Sequence, residues 1–183
     1  MDEIILIFDG QEVKAKEGMT VLEAAKEAGI DIPTLCYHPA LTPYGACRLC
    51  IVEIDGMRGF PTSCTTPASD GMVVKTNTPQ IQELRRDIFE LILTEHPYSC
   101  LTCNRKERCQ PSDIFLRNVA VTERCVICSK NGHCELQDVV DSLGIEKVTL
   151  PYAYYKELPI ERGDPFFDRD YNLCILCGRC VRV

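Results

Sequence analysis

The chain has 183 residues, 26% charged and 45% hydrophobic, the balance of a folded rather than a disordered protein. Twenty basic and 27 acidic residues leave a net charge of −7 with the two signs interleaved, which argues against a basic surface for nucleic acid. No apolar run approaches the roughly 18 residues of a membrane span, and Met1-Asp2-Glu3 lacks the positive start of a secretory signal, so a cytoplasmic chain without direct membrane insertion is expected.

In chain order, "IILIFDGQEVKAKEG" reads as two short strands joined by an Asp9-Gly10 hairpin turn. Thr20 and Glu23 form a capping box that opens the helix "VLEAAKEA", and Gly29 is placed to end it. "CIVEIDGMRGFPTSC" supplies two more extended pieces around Asp55-Gly56, and "GMVVKT" a last strand. Strand–strand–helix followed by further strands predicts a small β-grasp sheet over residues 1–78, within an α+β fold.

From Pro79 the pattern turns helical, with Thr78 as cap and Ile81, Leu84, Ile88, Leu91 and Ile92 on one face. Arg85, Arg86 and Glu90 read as its solvated side. A third helix is predicted in "CELQDVVDSLG", with Leu136, Val139, Val140 and Leu143 inward and Gly144 as the stop. Residues 79–148 are thus a mostly helical cysteine-rich domain. Residues 149–183 form an ordered linker rich in Pro, Tyr and Phe, and then a last cysteine run.

Thirteen cysteines dominate the chemistry. Without an export signal disulfides are disfavoured, and an odd number cannot pair fully. They stand at 36, 47, 50 and 64; at 100, 103 and 109; at 125, 128 and 134; and at 174, 177 and 180. Every group contains a C-x2-C pair, whose thiolates can converge on one metal centre, so the choice lies between zinc and iron–sulfur. Cys36, Cys47, Cys50 and Cys64 fit a [2Fe–2S] cluster with two thiolates on each iron. Gly45 would let backbone amides approach the sulfurs. His38 reads as packing behind Cys36 rather than as a ligand.

"YGACRLCIVEI" after a lone upstream cysteine, with a fourth cysteine after a short hairpin, resembles the amino-terminal [2Fe–2S] domain shared by three groups: the large iron–sulfur subunit of NADH dehydrogenase, the iron-only hydrogenases, and NAD-linked formate dehydrogenases. By the same resemblance, the amphipathic helix running into "HPYSCLTCNRKERC" is similar to that family's [4Fe–4S] site with one histidine and three cysteines, which implies His96, Cys100, Cys103 and Cys109 as ligands. A neutral imidazole in place of a thiolate removes one negative charge and eases reduction.

The chain departs from the family at one point. The spacing C-x2-C-x5-C occurs twice, displaced by 25 residues, and "CELQD", which in the family follows the first copy, here begins at Cys134 in the second. Two assignments stay open. Either Cys109 completes the His96 site and Cys125, Cys128 and Cys134 form an extra centre, or Cys134 completes it and Cys109, Cys125 and Cys128 form the extra one. Intact local spacing favours the first. The extra centre is a further [4Fe–4S] cluster or a structural zinc, with His133 a conceivable additional ligand. Cys174, Cys177 and Cys180 begin a ferredoxin-type [4Fe–4S] run, whose fourth cysteine would fall at position 184. The expectation is therefore a fragment of a longer protein, or a ligand supplied by a partner.

No G-x-G-x-x-G follows a strand, no phosphate-cradling loop is present, and no nucleophile or carboxylate pair suggests a catalytic residue. The resemblance implies an electron-transfer module between a flavin-bearing, NADH-oxidising subunit and a downstream catalytic domain or subunit, soluble or on the cytoplasmic face of a membrane complex. A zinc-stabilised interaction protein is the rival reading.

Overall fold

In β1 (Glu3–Phe8) and β2 (Gln11–Lys16) every second residue is apolar and turned inward, burying Ile4, Leu6, Phe8, Val13 and Ala15. The structure is a computed structural model that describes residues 3–98, 101–103, 132–151 and 158–183. The hairpin turn forms as expected, with φ of 50° at Asp9 and 88° at Gly10, the paired positive values that match strand twist. The Asp9 carboxylate also accepts from Thr76 N at 2.8 Å and Thr76 Oγ1 at 2.5 Å, tying the hairpin tip to the chain just past the strand that lies beside β1.

Helix α1 (Val21–Glu27) starts at the expected capping box, in which Glu23 N donates to Thr20 Oγ1 at 3.2 Å and Thr20 N donates to Glu23 Oε2 at 2.8 Å. It ends in a Schellman motif, with Gly29 N on the Lys26 carbonyl and Ile30 N on that of Ala25. Its buried face, Val21, Leu22, Ala24 and Ala25, packs with Leu6, Phe8, Val13, Val52 and Val74 in one apolar core that also contains Cys50 and Cys64. Strand β3 (Glu53–Ile54) pairs antiparallel with β4 (Val73–Lys75), and β4 runs parallel to β1, giving the order β2-β1-β4-β3. The α+β sheet-and-helix expectation holds. The second extended piece after Asp55-Gly56 amounts only to an isolated bridge between Ile51 and Thr62.

Helix α2 (Pro79–Thr94) is capped by Thr78, whose Oγ1 accepts from Ile81 N at 3.3 Å. Its buried stripe differs from the expected one. Ile81, Arg85, Phe89 and Leu93, four residues apart, are buried, whereas Leu91 is 60% exposed. Counting apolar residues alone misses the true centre of the face, because an arginine occupies one of its positions. The assignment of Arg85 to the solvated side is thereby corrected. Helix α3 (Glu135–Ser142) buries Leu136, Val139 and Val140, followed by buried Leu143, and stops at Gly144 with φ of 61°, as expected. A single 3₁₀ turn spans Tyr171–Leu173.

Two compact units result: Met1–Ile88 with Cys177–Val183, and Phe89–Leu176. The opening turns of α2, with buried Ile81 and Arg85, fall in the first unit. Among the described residues no helix is long and apolar enough to cross a membrane.

The capping box gives a direct test of this scaffold. Thr20→Ala should lower stability by about 1 kcal/mol, seen as a lower urea midpoint by circular dichroism with an unchanged slope. An unchanged midpoint would mean that Glu23 holds the helix start alone.

Candidate metal centre

The segment between α1 and β3 is shaped by its backbone rather than by regular structure. Gly45 (φ 67°) and Arg48 (φ 59°) turn the chain around Cys36, so that Cys47 N lies 3.5 Å from Cys36 Sγ and the Ala46 amide also bonds that sulfur. The approach is close. A Cβ at position 45 would stand 3.3 Å from Thr65 Cγ2 and 3.4 Å from Thr62 Oγ1, two threonines whose hydroxyls already bond each other at 2.5 Å. The expected role of Gly45 is therefore met by geometry. On the other side, Val52 N donates to Pro61 O at 3.0 Å and Ser63 N to Cys50 O at 2.9 Å, bringing Cys64 beside Cys50.

The four cysteines are brought together as two pairs, Cys47 on Cys36 through its amide and Cys64 on Cys50 through the neighbouring Ser63 amide. Cys36, Cys50 and Cys64 are each 1% exposed, and Cys47 is half-buried. The hydrogen bond from the Cys47 side chain draws the Cys36 thiol down to about 5 against the opposing effect of burial, and the same bond pushes Cys47 up. Likewise Cys64 draws Cys50 down to about 7, while Cys64 itself is raised. The charge on Cys36 also disfavours ionisation of Cys50 and Cys64, so all four thiolates can coexist only around positive charge.

That donor set fits a [2Fe–2S] cluster. Two buried pairs of sulfurs match two irons with two thiolates each. Ser63, wholly buried, has an Oγ with no regular hydrogen bond, yet its hydroxyl lies close enough to Cys50 to favour the thiolate. A buried hydroxyl beside sulfur is suited to donate to a thiolate or sulfide.

Two arginines border the site, and neither was singled out by spacing. Arg85 donates from Nε to Leu49 O at 2.9 Å and from Nη2 to Ile51 O at 2.8 Å, the carbonyls on either side of Cys50. Arg182 donates to Cys36 O at 2.5 Å and Thr42 O at 2.6 Å, and lies 5.4 Å from the centre of the Tyr44 ring. It thereby seats the run containing Cys177 and Cys180 on the Cys36 loop. His38 is exposed and its Nδ1 accepts from Ala40 N at 3.2 Å, so it shapes a turn instead of packing behind Cys36.

In the second unit, His96 follows α2, with Nδ1 2.9 Å from Pro97 O. A carbonyl can only accept, so Nδ1 is the donor in this bond, which leaves Nε2 as the nitrogen that a neutral ring would offer to a metal. Cys103 is half-buried, as is Cys134, which caps α3. Cys100, Cys109, Cys125 and Cys128 lie outside the described residues, so the choice between Cys109 and Cys134 is not decided by geometry. The Cys174 sulfur accepts from Leu176 N at 3.4 Å.

Gly45 offers a test of the cradle. Gly45→Ala forces an L-residue into positive φ at a cost of roughly 1–2 kcal/mol and presses on Thr65, so the variant should carry less iron per chain and lose its visible absorbance at lower temperature than the parent.

The first 79 residues match a family model described as a 2Fe-2S iron–sulfur cluster binding domain. Residues 85–110 and 122–149 match the NADH-ubiquinone oxidoreductase-G iron–sulfur binding region. Both cysteine repeats fall within these stretches. A G-type NADH-quinone oxidoreductase subunit of Rhizobium meliloti is 37% identical over 182 residues, covering 98% of this chain and 18% of that protein. The HndD subunit of the NADP-reducing hydrogenase of Solidesulfovibrio fructosivorans is 35% identical over 191 residues, covering 98% of this chain and 27% of the relative. The crystal structure of an NAD+-reducing [NiFe]-hydrogenase in the H2-reduced state superposes with a TM-score of 0.78 at 31% identity, covering 98% of this chain and 64% of that one. The chain thus spans about a fifth to a quarter of the length of these curated relatives. It is thus an iron–sulfur module with [2Fe–2S]- and [4Fe–4S]-binding parts, of the kind found in the G-type NADH-quinone oxidoreductase subunits and hydrogenase subunits that it matches.

Proposed function

We propose that this chain relays single electrons between a flavin-bearing, NADH-oxidising partner and a catalytic domain or acceptor that it does not itself contain. The observation that carries this reading is the buried double pair of sulfurs, Cys36 with Cys47 and Cys50 with Cys64. Cys36 and Cys47 would hold one iron of a [2Fe–2S] cluster, and Cys50 and Cys64 the other. His96, Cys100 and Cys103 would hold a [4Fe–4S] cluster completed by Cys109 or Cys134. The remaining cysteines of the repeat form the extra centre, and Cys174, Cys177 and Cys180 serve a ferredoxin-type cluster. On this reading the domains run 1–78, 79–148 and 149–183, and the chain works in the cytoplasm, free or on the inner face of a membrane complex.

When bound, the clusters supply one-electron redox chemistry within an insulating protein. The residues supply the rest. The Ala46 and Cys47 amides and the Ser63 hydroxyl offset charge on sulfur. The apolar core that contains Cys50 and Cys64 would keep water from a bound cluster. The Nδ1 bond of His96 leaves Nε2 as the nitrogen that a neutral ring would offer to a metal. Names of relatives such as NADP-reducing hydrogenase and NADH-quinone oxidoreductase support a nicotinamide-linked donor or acceptor for the whole assembly.

Anaerobically purified protein should be brown, contain iron with matching acid-labile sulfide, and give electron paramagnetic resonance signals of both cluster types on reduction. A colourless, zinc-containing sample would establish the interaction-protein reading instead. His96→Cys should lower the midpoint potential of one [4Fe–4S] signal, because it restores a negative ligand. Replacing Cys109 and Cys134 separately by serine should abolish that signal in one case only, identifying the fourth ligand.

A further inference from the structure

We infer that Arg85 is a positioning residue for electron transfer, a permanent positive charge built beneath the Cys36–Cys64 site to set how readily its cluster is reduced. This rests on the proposal that those four cysteines hold a [2Fe–2S] cluster. Arginine is rarely buried without a paired anion, since desolvation penalises the charge. Arg85 is 2% exposed. Its hydrogen-bond partners are the carbonyls of Leu49 and Ile51, neutral groups that satisfy the guanidinium's geometry without cancelling its charge. Among the described residues no carboxylate stands within ion-pair distance of it, and Asp31 and Asp9 act only from further away.

The two carbonyls flank Cys50, and of the anions that favour the charged guanidinium, Cys50 has the strongest effect. Burial pulls the Arg85 pKa down to about 10, so it stays protonated at neutral pH. A fixed positive charge therefore adjoins Cys50, one of the four sulfurs that would carry the negative charge of a bound cluster. Together they form a buried ion pair in which the cluster is the anion. Reduction adds one negative charge to that anion, and a fixed cation in a poorly polarisable interior favours the added electron. Because the charge is buried, salt screens it little.

The test uses the full chain, purified without oxygen and loaded with clusters, with redox titration of its [2Fe–2S] resonance signal. Arg85→Gln removes the charge while keeping an amide that can donate to a carbonyl, and Arg85→Lys keeps the charge while losing the two-pronged donor. The glutamine variant should lower the equilibrium constant for reduction at least tenfold, about 59 mV for one electron, and the shift should persist at high salt. The lysine variant should stay close to the parent. A glutamine variant with the parental potential, or a lysine variant shifted as far as the glutamine one, overturns the inference and leaves Arg85 as a structural tie. If the glutamine variant fails to load its cluster, the lysine variant decides. Loading at the parental potential supports the role of charge, and failure in the same way overturns it. Parent protein with no [2Fe–2S] signal would instead remove the reading on which the inference depends.

Discussion

Four sulfurs that are useful only as anions are held in one small apolar core, and the rest of the first unit is organised around the cost of that charge. Unpaired buried charge is expensive, and three of these sulfurs are almost wholly excluded from solvent. The same electrostatic demand explains the surroundings: amides of Ala46 and Cys47 directed at Cys36, a buried hydroxyl at Cys50, and guanidinium groups behind both loops.

Such a loop needs a rigid frame, because it contains little regular structure of its own. The hairpin, the doubly capped α1 and the parallel pairing of β1 with β4 close the sheet before and after the ligands, fixing the entrance and the exit of the segment. Asp9 clamps Thr76 just past the adjacent strand, and Arg85 clamps the strand of carbonyls around Cys50 from below. The positive φ at Arg48, disfavoured for a residue with a Cβ, is tolerable because these anchors leave the chain no other path.

Helix α2 links the chemistry of the two units along the sequence. Its first turns bury Ile81 and Arg85 with the [2Fe–2S] part, and its end presents His96 with Nδ1 as the donor to Pro97 O. Arg182 performs a comparable task from the other direction, holding the run of Cys177 and Cys180 on the Cys36 loop. Charged side chains thus serve the relay by placing its ligand segments as well as by balancing their charge.

The sequence alone determined the local features. Hairpin, capping box, helix stops and the grouping of cysteines follow from spacings of a few residues, where backbone geometry leaves little choice. The likeness of "YGACRLC" and "HP..C..C" to a known family supplied the cofactors. Tertiary structure decided what depends on meetings across the chain: the pairing of Cys36 with Cys47 and Cys50 with Cys64, the placing of Arg182 on Cys36, and above all the burial of Arg85. An arginine on a helix reads as solvent-facing until the carbonyls that receive it are known. Those carbonyls, at Leu49 and Ile51, lie more than thirty residues away, on a loop whose path only the folded sheet defines.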